Sequence, residues 1–317
     1  MKKSILLVLL LFPILLFPQK MSKEAQDYKY LVMEYANNYL TPIQKDILQN
    51  HYCGPESYST SIGGKHVPWD KETSDSKVLD EISTIVHEST HKFCRSGSWN
   101  SMNFIVSDSR FISVPKTEIF KSYLIVNDML RRNPKVKDMF RFDTYVDDGE
   151  TGNVGSNVGG IYGLMNEYCA YYNGALSALI LYEVFKDKHS ENDEEEMSFR
   201  ITEKNLALKA MSEASAFYQF NSFIGAYLIY AKENYNEVYT DIINNSFLVE
   251  SYSTVTESFS VIAEKTHEYF PEYAFIISSS ARCGSNEELL LSQEIFNDYI
   301  DVLNEFSNST NLLLTKK

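Results

Sequence analysis

The chain of 317 residues has few positive charges for its size. Its 29 lysines and arginines are outnumbered by 43 aspartates and glutamates, which gives a formal net charge of −14. This balance argues against nucleic acids and anionic membrane surfaces as partners, because proteins bind both through an excess of positive charge. No internal repeat is visible, and the hydrophobic content of 44% predicts a globular protein with a packed core.

The N-terminus lacks an apolar run long enough to cross a membrane. Lys2 and Lys3 are followed by an apolar run of 13 residues, Ile5 to Phe17, whereas a membrane-spanning helix needs roughly 20. We expect residues 1–20 to be a signal peptide of an exported protein, periplasmic or secreted, with no stable membrane insertion after its removal. A retained N-terminal anchor is the alternative, because no small-x-small cleavage site is evident.

One short motif carries most of the chemical information. Residues 87–91 read H-E-S-T-H, which has the form H-E-x-x-H. Positions i and i+4 share one face of a helix, so His87 and His91 can bind one zinc ion and Glu88 can reach a water molecule beside it. A helix is predicted here, beginning after Asp75 or Ser76, because apolar residues recur at helical spacing: Val78, Ile82, Ile85, Val86 and Phe93.

A catalytic zinc site needs a third protein ligand. Gly97 stands six residues after His91, where one group of zinc peptidases has a third histidine, so that arrangement is excluded. Glu167 is the better candidate, as the only charged residue between Glu150 and Glu183 in an almost wholly apolar segment. A lone buried carboxylate needs a compensating cation or hydrogen bonds. The alternative is a partly exposed glutamate near the start of a helix, stabilised by the helix dipole.

Three features together resemble the gluzincins, the thermolysin-like branch of zinc metallopeptidases. The first is the run I-V-H-E-S-T-H, with threonine before the second histidine. The second is the separation of 76 positions between His91 and Glu167. The third is Asn166-Glu167 followed by Ala170, which is similar to the N-E-x-x-A signature of that family's glutamate helix. The resemblance covers residues 75–185.

The resemblance implies a role for each motif residue. His87 and His91 bind one zinc ion per chain through neutral imidazole nitrogens, and Glu167 supplies the third ligand. Glu88 is the general base that takes a proton from water and passes it to the leaving amine. The chain departs from the family at Tyr171, where many gluzincins have an aspartate that orients a ligand histidine.

Two further roles have several candidates each. The hydrogen-bond partner of a ligand histidine is sought among Asn166, Asn173, Asp143 and Asp147. The donor that stabilises the oxyanion is sought among His267, Tyr269, Tyr172 and Tyr162. For His267 the favoured interpretation is a surface histidine near the end of a helix.

Four cysteines, an even number in an exported chain, permit two disulfides. A bridge between Cys94 and Cys169 would join the two metal-bearing helices and would leave Cys53 to pair with Cys283. The alternative is four buried, reduced thiols. Cys94 as a metal ligand is a further option.

The predicted fold class is α+β and helix-rich. A β-hairpin is expected around Asp108-Ser109, and the glycine-rich loop 147–160, which matches no nucleotide-binding fingerprint, is expected to border a substrate cleft. By the resemblance, residues 21–190 form a zincin-like catalytic lobe with a small sheet and the H-E-x-x-H helix. Residues 191–317 form a mainly helical lobe, after a charged and solvated run.

The expected function is that of a secreted or periplasmic zinc metallopeptidase acting on peptides or proteins. Two alternatives are a zinc-stabilised binding protein without turnover and a hydrolase of non-peptide amides. Glu88 favours an enzyme, because metal binding alone does not require this residue.

Overall fold

The computed structural model describes residues 23–55, 61–62, 65–66, 74–186, 193–269 and 286–307. These residues form a helix-rich structure with two small antiparallel sheets of two strands each, which confirms the α+β class at a coarse level. The predicted signal peptide and the boundary between the predicted lobes lie outside the described residues. Of the described helices, none combines the length and apolar composition needed to span a membrane.

The elements of the first part of the chain precede the long apolar helix that carries Glu167. They are α1 (Lys23–Tyr39), α2 (Pro42–His51), β1 (Ser61–Ile62), β2 (Lys65–His66), α3 (Asp75–Arg95), β3 (Ser101–Ile105), β4 (Phe111–Pro115), a 3-10 helix (Ser122–Ile125), α4 (Val126–Arg132), a second 3-10 helix (Pro134–Asp138), α5 (Phe142–Tyr145) and α6 (Gly155–Val158). The remaining described elements are all helices. They are α7 (Gly160–Phe185), α8 (Asp193–Ala214), α9 (Ala216–Asn234), α10 (Asn236–Asn244), α11 (Ser246–Tyr269), α12 (Asn286–Asn297) and α13 (Ile300–Ser307).

Helix α3 carries the H-E-x-x-H motif and has a stabilising residue at each end. Ser74 is its N-cap rather than the predicted Asp75 or Ser76, and the Ser74 hydroxyl accepts a hydrogen bond from the Lys77 backbone N–H. Lys92 and Arg95 lie in the last turn, where positive charge suits the helix dipole. The predicted apolar stripe is buried, so α3 packs one long face into the protein.

Helix α7 carries Glu167 and is the central helix of the described structure. It is apolar on all sides, as the sequence predicted. This composition suits its place, because α3, α8, α9 and α11 surround it. A helix that is buried all round exposes few positions to solvent, so a charged residue in its middle is costly unless it has a partner. This is the position of Glu167.

The predicted hairpin around Asp108-Ser109 is present. Strands β3 and β4 pair antiparallel, with Ser101 opposite Pro115 and Ile105 opposite Phe111. The buried face of the hairpin packs against α3, α7 and α11 in one large apolar core. Helices that follow residue 191 therefore contribute to the same core as the motif helix, while the division into two lobes stays a prediction.

The close approach of α6 to α7 depends on glycine at position 163. A Cβ atom built on Gly163 would lie 2.2 Å from the carbonyl oxygen of Gly155 and 2.9 Å from Cα of Ser156. Both are backbone atoms, so the clash cannot be relieved by rotation of a side chain. The loop 147–160, which ends in α6, is thereby held against the glutamate helix.

We expect Gly163→Ala to lower the free energy of unfolding by about 1–3 kcal/mol, the usual cost of overpacking. At an open helical position the same substitution stabilises by about 0.5–1 kcal/mol, because alanine is the better helix former. Urea denaturation of the full chain distinguishes the two cases by the sign of the change in the free energy of unfolding. A variant more stable than the wild type would contradict the close contact.

Candidate metal centre

The structure brings His87, His91 and Glu167 together where α3 crosses α7. The Nε2 atoms of the two histidines are 3.1 Å apart. Oε2 of Glu167 lies 3.3 Å from Nε2 of His91 and 3.9 Å from Nε2 of His87. All three residues are buried, with exposed fractions of 8%, 7% and 5% in chain order. Among the described residues, they form the one group whose positions could hold a metal ion.

The separations of these three atoms suit a small transition-metal ion. Three atoms at these distances lie on a circle with a radius of about 2.0 Å. Zinc binds imidazole nitrogen and carboxylate oxygen at about 2.0–2.2 Å. One ion can therefore lie within bonding distance of all three atoms without movement of the helices.

The charges of the site influence one another strongly. Burial lowers the pKa of His87 well below its usual value, and the positive charges of His91 and Arg141 lower it further. Burial also opposes protonation of His91, but the negative charge and hydrogen bond of Glu167, together with the charge of Glu88 and a hydrogen bond of Asn166, outweigh it and raise the pKa of His91. Glu167 thus holds positive charge close to itself, and a metal cation at the same place would serve the same purpose.

Glu88 lies beside this group on the motif helix and is half-buried. Burial raises the pKa of its carboxyl, opposed by the positive charges of His91 and Arg95 and supported by the negative charge of Glu167. A carboxylate with a raised pKa is a stronger proton acceptor, which suits a general base. Glu88 does not belong to the group of three ligand atoms, and its role as general base stays a prediction.

Of the predicted partners for a ligand histidine, Asn166 is the one at the site. Its side chain raises the pKa of His91 as a hydrogen-bond partner. Nδ1 of His91 and Oδ1 of Asn166 are both buried, and neither has any other hydrogen-bond partner among the described residues. Because Nε2 of His91 points to the other two ligands, the proton of a metal-bound His91 belongs on Nδ1, where Asn166 can accept it.

The other candidates for these two roles contact different parts of the molecule. The Asn173 amide donates to the Cys169 carbonyl oxygen, and Asp143 and Asp147 are exposed. The hydroxyl of Tyr162 accepts a hydrogen bond from the Thr117 backbone N–H. The remaining three have other surroundings: Tyr172 packs against Phe259, Tyr269 lies beside Lys186, and His267 is exposed in the last turn of α11.

Three residues at the site were not predicted as ligands or partners. The Tyr171 ring packs edge-on against the His87 imidazole, with 4.5 Å between ring centroids. The hydroxyls of Tyr171 and Tyr145 are 2.8 Å apart, and the Arg141 guanidinium lies over the Tyr171 ring. Tyr171 could have been found from its place one helical turn after Glu167. For Tyr145 and Arg141 the sequence contains no such signal.

The predicted bridge between Cys94 and Cys169 is not formed. Both are free, buried thiols in the structure, and burial raises the pKa of each. The backbone N–H of Ile105 hydrogen-bonds to both sulfurs. Because the thiolate is the reactive form, thiols in such an environment are poor substrates for oxidation. Cys283, the predicted partner of Cys53, lies outside the described residues.

The chain matches no protein-family model, no curated protein and no solved structure at a significant level. The resemblance to gluzincins therefore depends on the motif residues alone, and a metal centre is indicated by the geometry of His87, His91 and Glu167.

Proposed function

We propose that this protein is a zinc-dependent metallopeptidase of the gluzincin type, with a zincin-like catalytic lobe. His87, His91 and Glu167 bind the zinc ion and Glu88 acts as the general base. The observation that carries the proposal is the meeting of three ligand atoms from segments 76 positions apart in the sequence. An accidental H-E-x-x-H sequence has no reason to lie against a buried carboxylate from a distant helix.

The set of donors favours zinc and a catalytic site. Two imidazole nitrogens and one carboxylate oxygen are a known ligand set of catalytic zinc, and three protein ligands leave one position open. A structural zinc site is usually closed by four protein ligands. Among the described residues, the group contains three, and the half-buried Glu88 is next to it in sequence.

When bound, zinc would supply a Lewis acid that polarises a peptide carbonyl and lowers the pKa of water. The residues of the chain account for the remaining steps. His87 and His91 each point a neutral Nε2 atom at the position that the ion would occupy. Glu167 points its negatively charged carboxylate at the same position. Glu88 accepts a proton from the attacking water, holds it on its carboxyl group, and donates it to the leaving nitrogen as the C–N bond breaks.

The test is metal analysis followed by peptide hydrolysis, both with the full chain after removal of any tag. We expect about one zinc per chain by elemental mass spectrometry, and cleavage of a mixed peptide library detected by mass spectrometry. A chelator should abolish cleavage and added Zn2+ should restore it, whereas added Mg2+ should not. Absence of zinc after reconstitution, or cleavage that survives complete metal removal, would contradict the proposal.

A further inference from the structure

A chain of packed side chains connects the ligand His87 to helices α8 and α9. The first link is Tyr171, which follows Glu167 by four residues on α7 and so lies on the same face of that helix. Its ring makes an edge-on contact with the imidazole of His87, at an angle of 76° between the ring planes. The position of the Tyr171 ring therefore limits how the His87 ring can rotate.

Tyr171 is itself held by three neighbouring side chains. Its hydroxyl and that of Tyr145 are within hydrogen-bond distance, at 2.8 Å. The guanidinium carbon of Arg141 lies 4.4 Å from the centroid of its ring, a distance at which a cation is attracted to the face of an aromatic ring. The ring of Phe220 packs beside it, with 5.3 Å between centroids.

Arg141 is fixed by the helices that follow the metal ligands in sequence. It is only 2% exposed, and burial of a guanidinium is costly unless polar groups surround it. Its Nη2 donates to the Ser212 carbonyl oxygen at 2.7 Å. Its Nη1 donates to Oγ of Ser215 at 3.0 Å and to Oε1 of Gln219 at 3.4 Å. The planar guanidinium matches these acceptors, so its place over Tyr171 is well defined.

We propose that Arg141 and Tyr171 are positioning residues of the metal centre, which hold the imidazole of His87 in the orientation that metal binding requires. This inference depends on the proposed zinc site. Ligand histidines in zinc enzymes are usually oriented by a hydrogen bond to a carboxylate, a backbone carbonyl or a water molecule. Here the ring of Tyr171, fixed by Arg141, restrains the His87 ring by packing.

The test measures zinc affinity and ligand geometry in variants of the full chain. Tyr171→Leu removes the ring from His87, and we expect zinc binding, measured by competition with a chromophoric chelator, to weaken about 10- to 100-fold. The visible absorption spectrum of the Co2+-loaded protein should change as well, because it reports the arrangement of ligands. Tyr171→Phe keeps the ring and should bind zinc with less than the roughly 10-fold loss expected when an orienting partner is removed.

Tyr172→Leu is the matched control. Tyr172 is the next residue of α7, is 3% exposed, and packs against Phe259 instead of the motif. The Tyr172→Leu substitution should lower the Tm about as much as Tyr171→Leu does, and it should leave the zinc affinity and the Co2+ spectrum unchanged. If Tyr171→Leu does not fold, Arg141→Lys provides the test, since lysine keeps the charge but loses the planar contact, and zinc binding should again weaken about tenfold.

Each result decides between the alternatives. Wild-type zinc affinity and spectrum in Tyr171→Leu, or in Arg141→Lys if that variant is needed, would overturn the inference. An equal loss of zinc affinity in Tyr172→Leu would also overturn it, because the effect would then result from a general loss of stability. A tenfold loss in Tyr171→Phe would overturn the role of the ring. A wild-type protein that binds no zinc would overturn the proposed function and this inference together.

Discussion

Replacement of Glu88 by glutamine is expected to abolish peptide hydrolysis while the protein still binds its metal. The amide of glutamine has nearly the shape of the carboxylate but cannot accept a proton at neutral pH. General acid–base catalysis typically contributes about 10²- to 10⁴-fold to the rate, so we expect kcat to fall by at least about 10²-fold. Zinc content should not change, because Glu88 is outside the group of three ligand atoms.

The measurement pairs kcat on a cleaved library peptide with zinc content by elemental mass spectrometry. Glu81→Gln is a suitable control, since it makes the same chemical change two helical turns earlier on α3. Glu81 accepts a hydrogen bond from the Tyr28 hydroxyl, and a glutamine oxygen can accept it too. Full activity of the Glu88→Gln variant would remove Glu88 from the mechanism. Loss of zinc in that variant would show that Glu88 helps to bind the metal.

Replacement of Glu167 by alanine is expected to remove the metal. Without Glu167, two neutral imidazole nitrogens 3.1 Å apart remain, and the site has no negatively charged ligand to offset the charge of the ion. Loss of a partner that only orients a ligand costs about 10- to 100-fold in metal affinity, and loss of the ligand itself should cost at least about 100-fold. Cleavage activity should disappear with the metal.

Thermal unfolding with and without Zn2+ gives an independent measurement of the same effect. A ligand that binds only the native state raises its stability, so added Zn2+ should raise the Tm of the wild type and leave that of Glu167→Ala unchanged. Glu183→Ala is the control on the same helix, because Glu183 pairs with Lys186 near the end of α7. Unchanged zinc content in Glu167→Ala would mean that another residue is the third ligand.

The local features of the fold could be predicted from the sequence. Helical spacing of apolar residues predicted α3, the nearly continuous apolar run predicted α7, and alternation around Asp108-Ser109 predicted the β3–β4 hairpin. These predictions succeed because burial of one face depends on side-chain periodicity within a single element. The N-cap was predicted one or two residues too late, since several neighbouring polar residues can fill that role.

The neighbours of the metal ligands could not be predicted, because they come from distant parts of the chain. Arg141 is held by residues more than 70 positions later, and no local pattern indicates such a contact. The same holds for Cys94 and Cys169, which are near the same backbone amide yet remain free thiols. Whether two cysteines form a bridge depends on their geometry and on the ionisation of their thiols. Their separation in the sequence predicts neither.

The sequence by itself determined which residues have the chemistry for a metal site. The spacing of His87 and His91 places both on one face of a helix, and the isolation of Glu167 in an apolar helix requires a partner for its charge. Only the tertiary structure decided that the two helices cross at these residues, and that Asn166 and Tyr171, rather than an aspartate, adjoin the histidines. The physical reason is that donor type is a property of single residues, whereas the distance between donors is set by the packing of the whole core.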